Sequence, residues 1–279
     1  MAVVPEFWQS VETLHAPVYF AEGATERYAE IGLAGFWMGY TASRSAALGT
    51  PSPELVTALF HGFSPARIRR ALPDAWSRSV PAEILRTRRS IAHDALAPLL
   101  GADDTIEPVA RQLTAMLDGA DWAGKPLAAA HAALPVPEDP LDRLWHAATV
   151  WREYRGDCHV AVLTAAGLGG AAANRLTQAA GLVPPTQQAA RGWDDDAWSE
   201  GAENLRQRGW LTPEGALTDS GRAARIQLER ATDRVCANGL DHQATARALT
   251  VTAAISELAK RVSPLVPELS PTGVRPPTG

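Results

Sequence analysis

The sequence predicts a mainly α-helical protein of two helical halves, with a small β-wing in the C-terminal half. Three observations carry that prediction. Apolar residues recur at helical spacing along most of the chain, and sustained strand-like alternation is rare. The segment 133–140 (ALPVPEDP) divides the chain, because Pro135, Pro137 and Pro140 stop helices and favour extended backbone. Finally, 193–234 (WDDDAWSEGAENLRQRGWLTPEGALTDSGRAARIQLERATDR) reads as a capped helix ending at Gly209, a short hairpin around Thr212–Gly215 and a long helix.

Taken in order, helices are expected over about 6–15, 24–48 (with a break near Gly32), 53–61, 64–73, 81–99, 106–118, 126–133, 140–166, 170–180, 195–208, 218–237 and 241–262. Ser64-Pro65 and Val80-Pro81 mark helix starts, where proline costs nothing in the first turn. The halves are expected at 1–134 and 140–263, followed by an irregular proline-rich tail, 264–279. Residues 48–76 and 168–198 echo one another: a Leu-Gly start, a helix, an apolar turn with proline, a short helix, then Asp-Ala-Trp. Either the echo is chance in an alanine-rich chain, or it marks two helix-turn-helix-like halves with a cleft between them.

The segment 193–234 has the shape of a winged-helix DNA reader but the wrong charge. A recognition helix should bring Arg, Lys, Asn or Gln to base edges through a negative field. Here the first turn holds Asp194, Asp195 and Asp196, with Glu200 and Glu203 after it, against Arg206 and Arg208. Those acids suit a helix N-terminus and repel phosphate. With a net charge of −5, the chain offers little to nucleic acid; the nearest basic run is Arg67, Arg69, Arg70, Arg86, Arg88 and Arg89, interrupted by Asp74 and Glu83.

Only Cys158 and Cys236 are present, and no secretory signal or membrane-length apolar run is seen, so a cytoplasmic protein with reduced thiols is expected. The histidines are scattered, and no phosphate loop, dinucleotide fingerprint or zinc spacing occurs, so neither metal nor cofactor is expected. Self-association into a homodimer stays open.

The chemistry-bearing residues concentrate in 140–166. At about 100° per residue, Trp145, Arg152, Arg155, His159 and Leu163 fall within a face about 80° wide, with Glu153 and Asp157 expected on the opposite side. Unpaired guanidiniums on such an apolar helix are costly. The plain alternative is that neighbouring acids satisfy Arg152 and Arg155 and that His159 is a core histidine. The other is a pocket in which an arginine binds an anionic or carbonyl oxygen and a histidine moves a proton. A second stripe, Trp37, Tyr40, Arg44 and Leu48, lies near HAPVYF (15–20) and FHGF (60–63); such aromatic stripes are more often core than ligand cage, while the arginine among them suits a cavity with an apolar wall and a few polar contacts. The site expected from both stripes has His159, His61 and Arg155 as catalytic groups, with Tyr19, Trp37, Tyr40, Arg44, Phe63, Trp145 and Arg152 holding the ligand.

The ordered blocks HAPVYF, GFWMGYTASRSAALG, VTALFHGFSPARIRRALPDAW, LWHAATVWREYRGDCHVAVLTAAGL and ARGWDDDAW resemble an uncharacterised helix-turn-helix family of high-GC bacteria, over about residues 8–237. The resemblance implies a winged-helix-like fold and no particular activity. Its members usually read RGDGHVA where this chain has Cys158 within RGDCHVA, and usually carry tyrosine or a similar residue at His61. The winged-helix part is also distantly similar to MarR-type regulators, whose ligand cavities adjoin their DNA-reading helices. The expected function is a winged-helix relative that does not bind DNA and holds a mostly apolar small molecule between its halves. A cofactor-independent cyclase, isomerase or lyase of specialised metabolism would fit. A ligand-responsive regulator and a drug-sequestering resistance protein are the alternatives.

Overall fold

The computed structural model describes residues 5–101 and 103–274. The N-terminal region holds α1 (Pro5–His15), a 3-10 turn (Ala16–Tyr19), α2 (Ala24–Glu30), α3 (Gly35–Ser45), α4 (Pro53–Leu59), α5 (Pro65–Ala71), α6 (Asp74–Arg78), α7 (Pro81–Leu100), α8 (Ile106–Ala115) and α9 (Pro126–Ala132). The C-terminal region holds α10 (Pro140–Ala165), α11 (Gly170–Ala179), α12 (Gln187–Arg191), α13 (Asp195–Gln207), α14 (Asp219–Asn238) and α15 (His242–Val262). Chain chemistry sets several of these limits. Ser52, Ser64, Asp139, Asp194, Thr218 and Asp241 each accept a backbone N–H of the helix they open. The expected break near Gly32 separates α2 from α3, with Gly32 and Gly35 both at positive φ.

Helix α10 is the axis of the molecule. Its first half is buried all round, with Leu144, Ala147, Val150, Trp151 and Tyr154 fully enclosed, and it packs on α1, α8, α9 and α14. Trp8, Trp151 and Tyr154 form an aromatic cluster beneath α1, where Trp8 and Tyr154 stack at 6.5 Å. The main core runs from Phe7 to Val262, because α15 returns to lie along α1, α7 and α8. The divisions 1–134 and 140–263 therefore share one core. A second, smaller core lies under α11, α13 and the start of α14, built on Leu163, Leu168, Leu176, Leu205, Leu211 and Leu217. Here α11 and α13 cross at Gly201, where a Cβ would stand 2.9 Å from the Ala172 nitrogen.

The expected β-wing is not formed: there is no strand among the described residues. Residues 210–218 make a tight turn with one antiparallel bridge, Leu211 to Leu217, closed by Thr212 N–H to the Ala216 carbonyl and Thr218 N–H to the Trp210 carbonyl. The room is too short for a ladder. Gly209 ends α13 with φ +71°, Pro213 lacks an N–H, and Thr218 already caps α14. After α15 and a 3-10 turn (Ser263–Leu265) the tail is irregular, but it is packed: Val266 and Val274 cover Ala16, and Ser270 is buried. Residues 275–279 of that tail lie outside the described residues.

Two predictions follow from the core. Trp145 is 6% exposed, stacked 5.8 Å from His15 with its Nε1 donating to the His15 carbonyl. Trp145→Ala should cost about 3–5 kcal/mol in urea unfolding, and an unchanged midpoint would contradict the packing. Burial also pulls the pKa of His131 and of His146 down to about 4. The unfolded chain takes up those protons near pH 6.5, so their contribution is intact above that pH and is lost as pH falls toward 4, by about 1.4 kcal/mol per unit for each. His146→Gln should accordingly flatten the stability profile between pH 6.5 and 5 relative to the parent, and identical slopes would contradict a neutral buried His146.

Candidate functional site

A cavity of about 550 Å³ opens between α10, the α4–α5 turn, α11 and α14. Its frame comes from the two echoing segments, which clasp each other through main-chain carbonyls. His61 Nε2 donates to the Leu168 carbonyl (2.9 Å), and Asn174 Nδ2 and Trp193 Nε1 donate to that of Gly62 (2.8 and 3.1 Å). Ser64 Oγ donates to the Gly192 carbonyl at 2.6 Å. The approach is close enough that a Cβ on Gly170 would fall 2.0 Å from the His61 carbonyl oxygen. Phe60, Phe63, Leu163, Leu176 and Val183 supply apolar wall.

One end of the cavity is rich in arginine. Arg44 makes a two-pronged contact with Glu153, Nε to Oε1 and Nη2 to Oε2, both 2.8 Å, and lies 4.2 Å over the Phe60 ring. Arg152 Nη1 donates to the same Oε2 at 2.7 Å. Glu153 is wholly enclosed. Burial alone would raise its pKa, but the charges of Arg152 and Arg44 outweigh it and hold the carboxyl well below the ordinary value. Arg191, from the short α12, closes this end. It lies 4.4 Å over the Phe63 ring, and its Nη2 donates to the Pro271 carbonyl. Burial lowers its pKa, and the charges of Arg44 and Arg152 add to that. The Tyr40 hydroxyl accepts from Arg44 Nη1 at 3.4 Å; burial would raise its pKa, but Arg44, Arg191 and Arg152 bring it below the ordinary phenol value.

The other end is balanced differently. Arg155 Nη2 donates to both Glu229 (2.9 Å) and Asp233 (3.0 Å), and Glu12 stands nearby. Its charge is thus taken up by protein carboxylates. His159 lies beside this group. Thr232 Oγ1 donates to the Leu228 carbonyl at 3.0 Å, so at 2.9 Å it accepts from His159 Nδ1. The proton therefore sits on Nδ1, and Nε2 carries the lone pair. Burial lowers the His159 pKa, which keeps the ring neutral. In His61, donation from Nε2 leaves the lone pair on Nδ1.

Six of the ten expected site residues line the cavity: Arg44, His61, Phe63, Arg152, Arg155 and His159. The other four do not. Trp145 lies about 10 Å up α10 from Arg152 and belongs to the core. Tyr19 bonds His15 and Arg88, at 2.9 and 3.2 Å, and with Tyr40 lines a separate hollow of about 10 Å³. Trp37 packs behind Phe63 with Arg67 4.5 Å over its ring. Of the stripe Trp37, Tyr40, Arg44 and Leu48, only Arg44 lines the cavity.

The faces of α10 that carry Glu153 and Asp157 are interior too. Glu153 meets Arg44 of α3, and Asp157 accepts the Leu127 and Ala128 N–H groups that open α9, at 3.0 Å each. Arg88, part of the interrupted basic run, is 1% exposed and bonds Ser43 and Tyr19. Arg191 carries no periodic signal, since α12 is only five residues long, and only packing reveals it. Elsewhere, His93, Asp139 and Asp142 come together, but Arg89 approaches Asp142 at 3.5 Å and Asp139 Oδ1 caps α10. Among the described residues no helix is long and apolar enough to cross a membrane.

The model of a helix-turn-helix family matches residues 4–265, nearly the whole chain. No curated protein and no solved structure matches. The clasped helix pairs and the crossing of α11 with α13 fit that assignment, and the chain belongs to this helix-turn-helix family.

Proposed function

We propose that this helix-turn-helix protein does not read DNA and instead holds a mostly apolar small molecule in the cleft between its halves, acting on it by cofactor-independent acid–base chemistry. The observation that carries this reading is the cavity of about 550 Å³, which combines apolar wall with two histidines that each keep one ring lone pair unused. His159 Nε2, on a neutral ring oriented by Thr232, is the general base. The imidazolium formed at His159 returns the proton, and His61 Nδ1, on the turn opposite, accepts a hydrogen bond from the ligand. Arg152 at the far end stabilises negative charge that develops on the ligand. The steps within reach are proton abstraction and return, as in an isomerisation, cyclisation or elimination. Arg155 orients Glu229 and Asp233 rather than the ligand.

A second reading has support from one feature. Helix α11 lines the cavity with Ala173, Leu176 and Thr177 and packs directly on α13, so a ligand could bias the α13 position as in a MarR-like regulator. Against it, Asp194, Asp195, Asp196, Glu200 and Glu203 are all exposed on α13. A sequestering protein would use the same cavity without turnover.

Two experiments separate these. Anisotropy titration of random and upstream duplexes at about 100 mM salt should show no submicromolar binding; salt-sensitive binding in that range would favour the regulator. Ala173→Trp fills the cavity from α11. Mass spectrometry of small molecules retained from a cell extract should then show a ligand in the parent and none in Ala173→Trp. His159→Gln should retain the ligand but leave it unconverted. Equal retention by parent and Ala173→Trp would sink the cavity assignment, and ligand released unchanged by the parent would replace catalysis with sequestration.

A further inference from the structure

We propose that the arginine end of the cavity is a site for an organic oxyanion, a carboxylate or its equivalent carried on an apolar or aromatic body, held between Arg152 and Arg191. The inference rests on the ligand cavity proposed above and deepens it by assigning the ligand a charge and an orientation.

The first support is an unmet charge. Arg44, Arg152 and Arg191 gather at one end, and Glu153 is the one carboxylate that pairs there among the described residues. Two positive charges remain in excess. Enclosed guanidiniums with no counter-charge are costly, and an anion is the group that relieves them. The second support is geometric. Arg191 has no carboxylate partner among the described residues. Its Nη2 goes to a neutral carbonyl, Pro271, it also bonds the Tyr40 hydroxyl, its face covers Phe63, and its Nε is buried with no acceptor. Arg152 gives a single Nη1 bond to Glu153, which leaves donors of its planar fork for a ligand. The Tyr40 hydroxyl, brought below the ordinary phenol value by Arg44, Arg191 and Arg152 against its burial, is consistent with the same local excess of positive charge.

The third support is the asymmetry of the cavity. At the far end Arg155 is outnumbered by Glu12, Glu229 and Asp233, with Arg225 also present. That end disfavours an anion. A ligand with one charged head is therefore turned so that its oxyanion meets Arg152 and Arg191, its body passes Phe60, Phe63 and Leu163, and its other end reaches His159. The volume exceeds what an inorganic ion fills, and the wall between the two ends is apolar, which calls for an organic body.

Two fluorescent probes of one shape isolate the charge: 8-anilinonaphthalene-1-sulfonate and its uncharged counterpart N-phenyl-1-naphthylamine. The parent protein should bind the sulfonate at least about tenfold more tightly, as charge-assisted bonds to arginine require. Arg191→Met should erase that preference while leaving affinity for the neutral probe within about twofold, and the exposed-site control Arg234→Met should change neither. Ala173→Trp should block both probes, which places them in the cavity. Equal affinities in the parent, or equal losses for both probes in Arg191→Met, would overturn the oxyanion site and leave the apolar cavity standing. Failure of both probes to bind the parent would overturn the cavity reading and this one together. Should Arg191→Met not fold by circular dichroism, the parent's preference decides the matter, with Arg152→Met as the second variant.

Discussion

Glu153 holds the centre of this protein together. One carboxylate, with no exposed surface, takes both prongs of Arg44 from α3 and a third bond from Arg152 of its own helix. A buried carboxylate or guanidinium alone would be several kcal/mol too costly to keep, so each is tolerable only with the other in place. The pairing also fixes geometry. It ties α3 to α10, sets Phe60 under the Arg44 guanidinium, and thereby positions the α4–α5 turn that carries His61 and Phe63. A hydrophobic pair could have joined those helices at lower cost. What it could not do is leave a cluster of arginines facing a cavity with their charge only partly met.

In the function proposed above, that residual charge turns the helix-turn-helix scaffold to a use other than DNA reading. In this chain the exposed face of α13 is acidic, and the helix is locked to α11 by the crossing at Gly201. Four arginines are drawn inward: Arg44, Arg88, Arg152 and Arg191 serve the interior or the cavity. The echoing segments 48–76 and 168–198 clasp each other around His61, Gly62 and Ser64, and the cavity lies beside that seam. The tail contributes as well, since Pro271, Thr272 and Gly273 form part of the wall and Pro271 binds Arg191.

Much of this was legible in the sequence. Helical periodicity, proline at first turns and capping residues located the long helices to within a few residues, because those signals are local. The stripe Arg152, Arg155 and His159 was legible for the same reason, and it does face the cavity. Partnership was not legible. A projection of α10 puts Glu153 away from Arg152, but the helix is enclosed around Glu153, and a flexible guanidinium spans the angle to its neighbour. The aromatic residues Tyr19, Trp37 and Trp145 were expected to hold the ligand, yet their spacing suits core packing as well: Tyr19 and Trp145 lie in the core, and Trp37 packs half-buried against it. Arg191 sits in a five-residue helix, too short to carry a period. The wing failed because the bounds of α13 and α14 leave it no length.

The central claim is that Glu153 and Arg44 act as one unit, and a double-mutant cycle on urea stability measures it directly. Arg44→Met and Glu153→Met are made singly and together, which keeps volume while removing charge. The account predicts that each single change costs about 3–5 kcal/mol because it strands a buried charge, and that the double variant recovers at least about 2 kcal/mol of the summed loss. Losses that add to within about 0.5 kcal/mol would show two independent residues and contradict the claim.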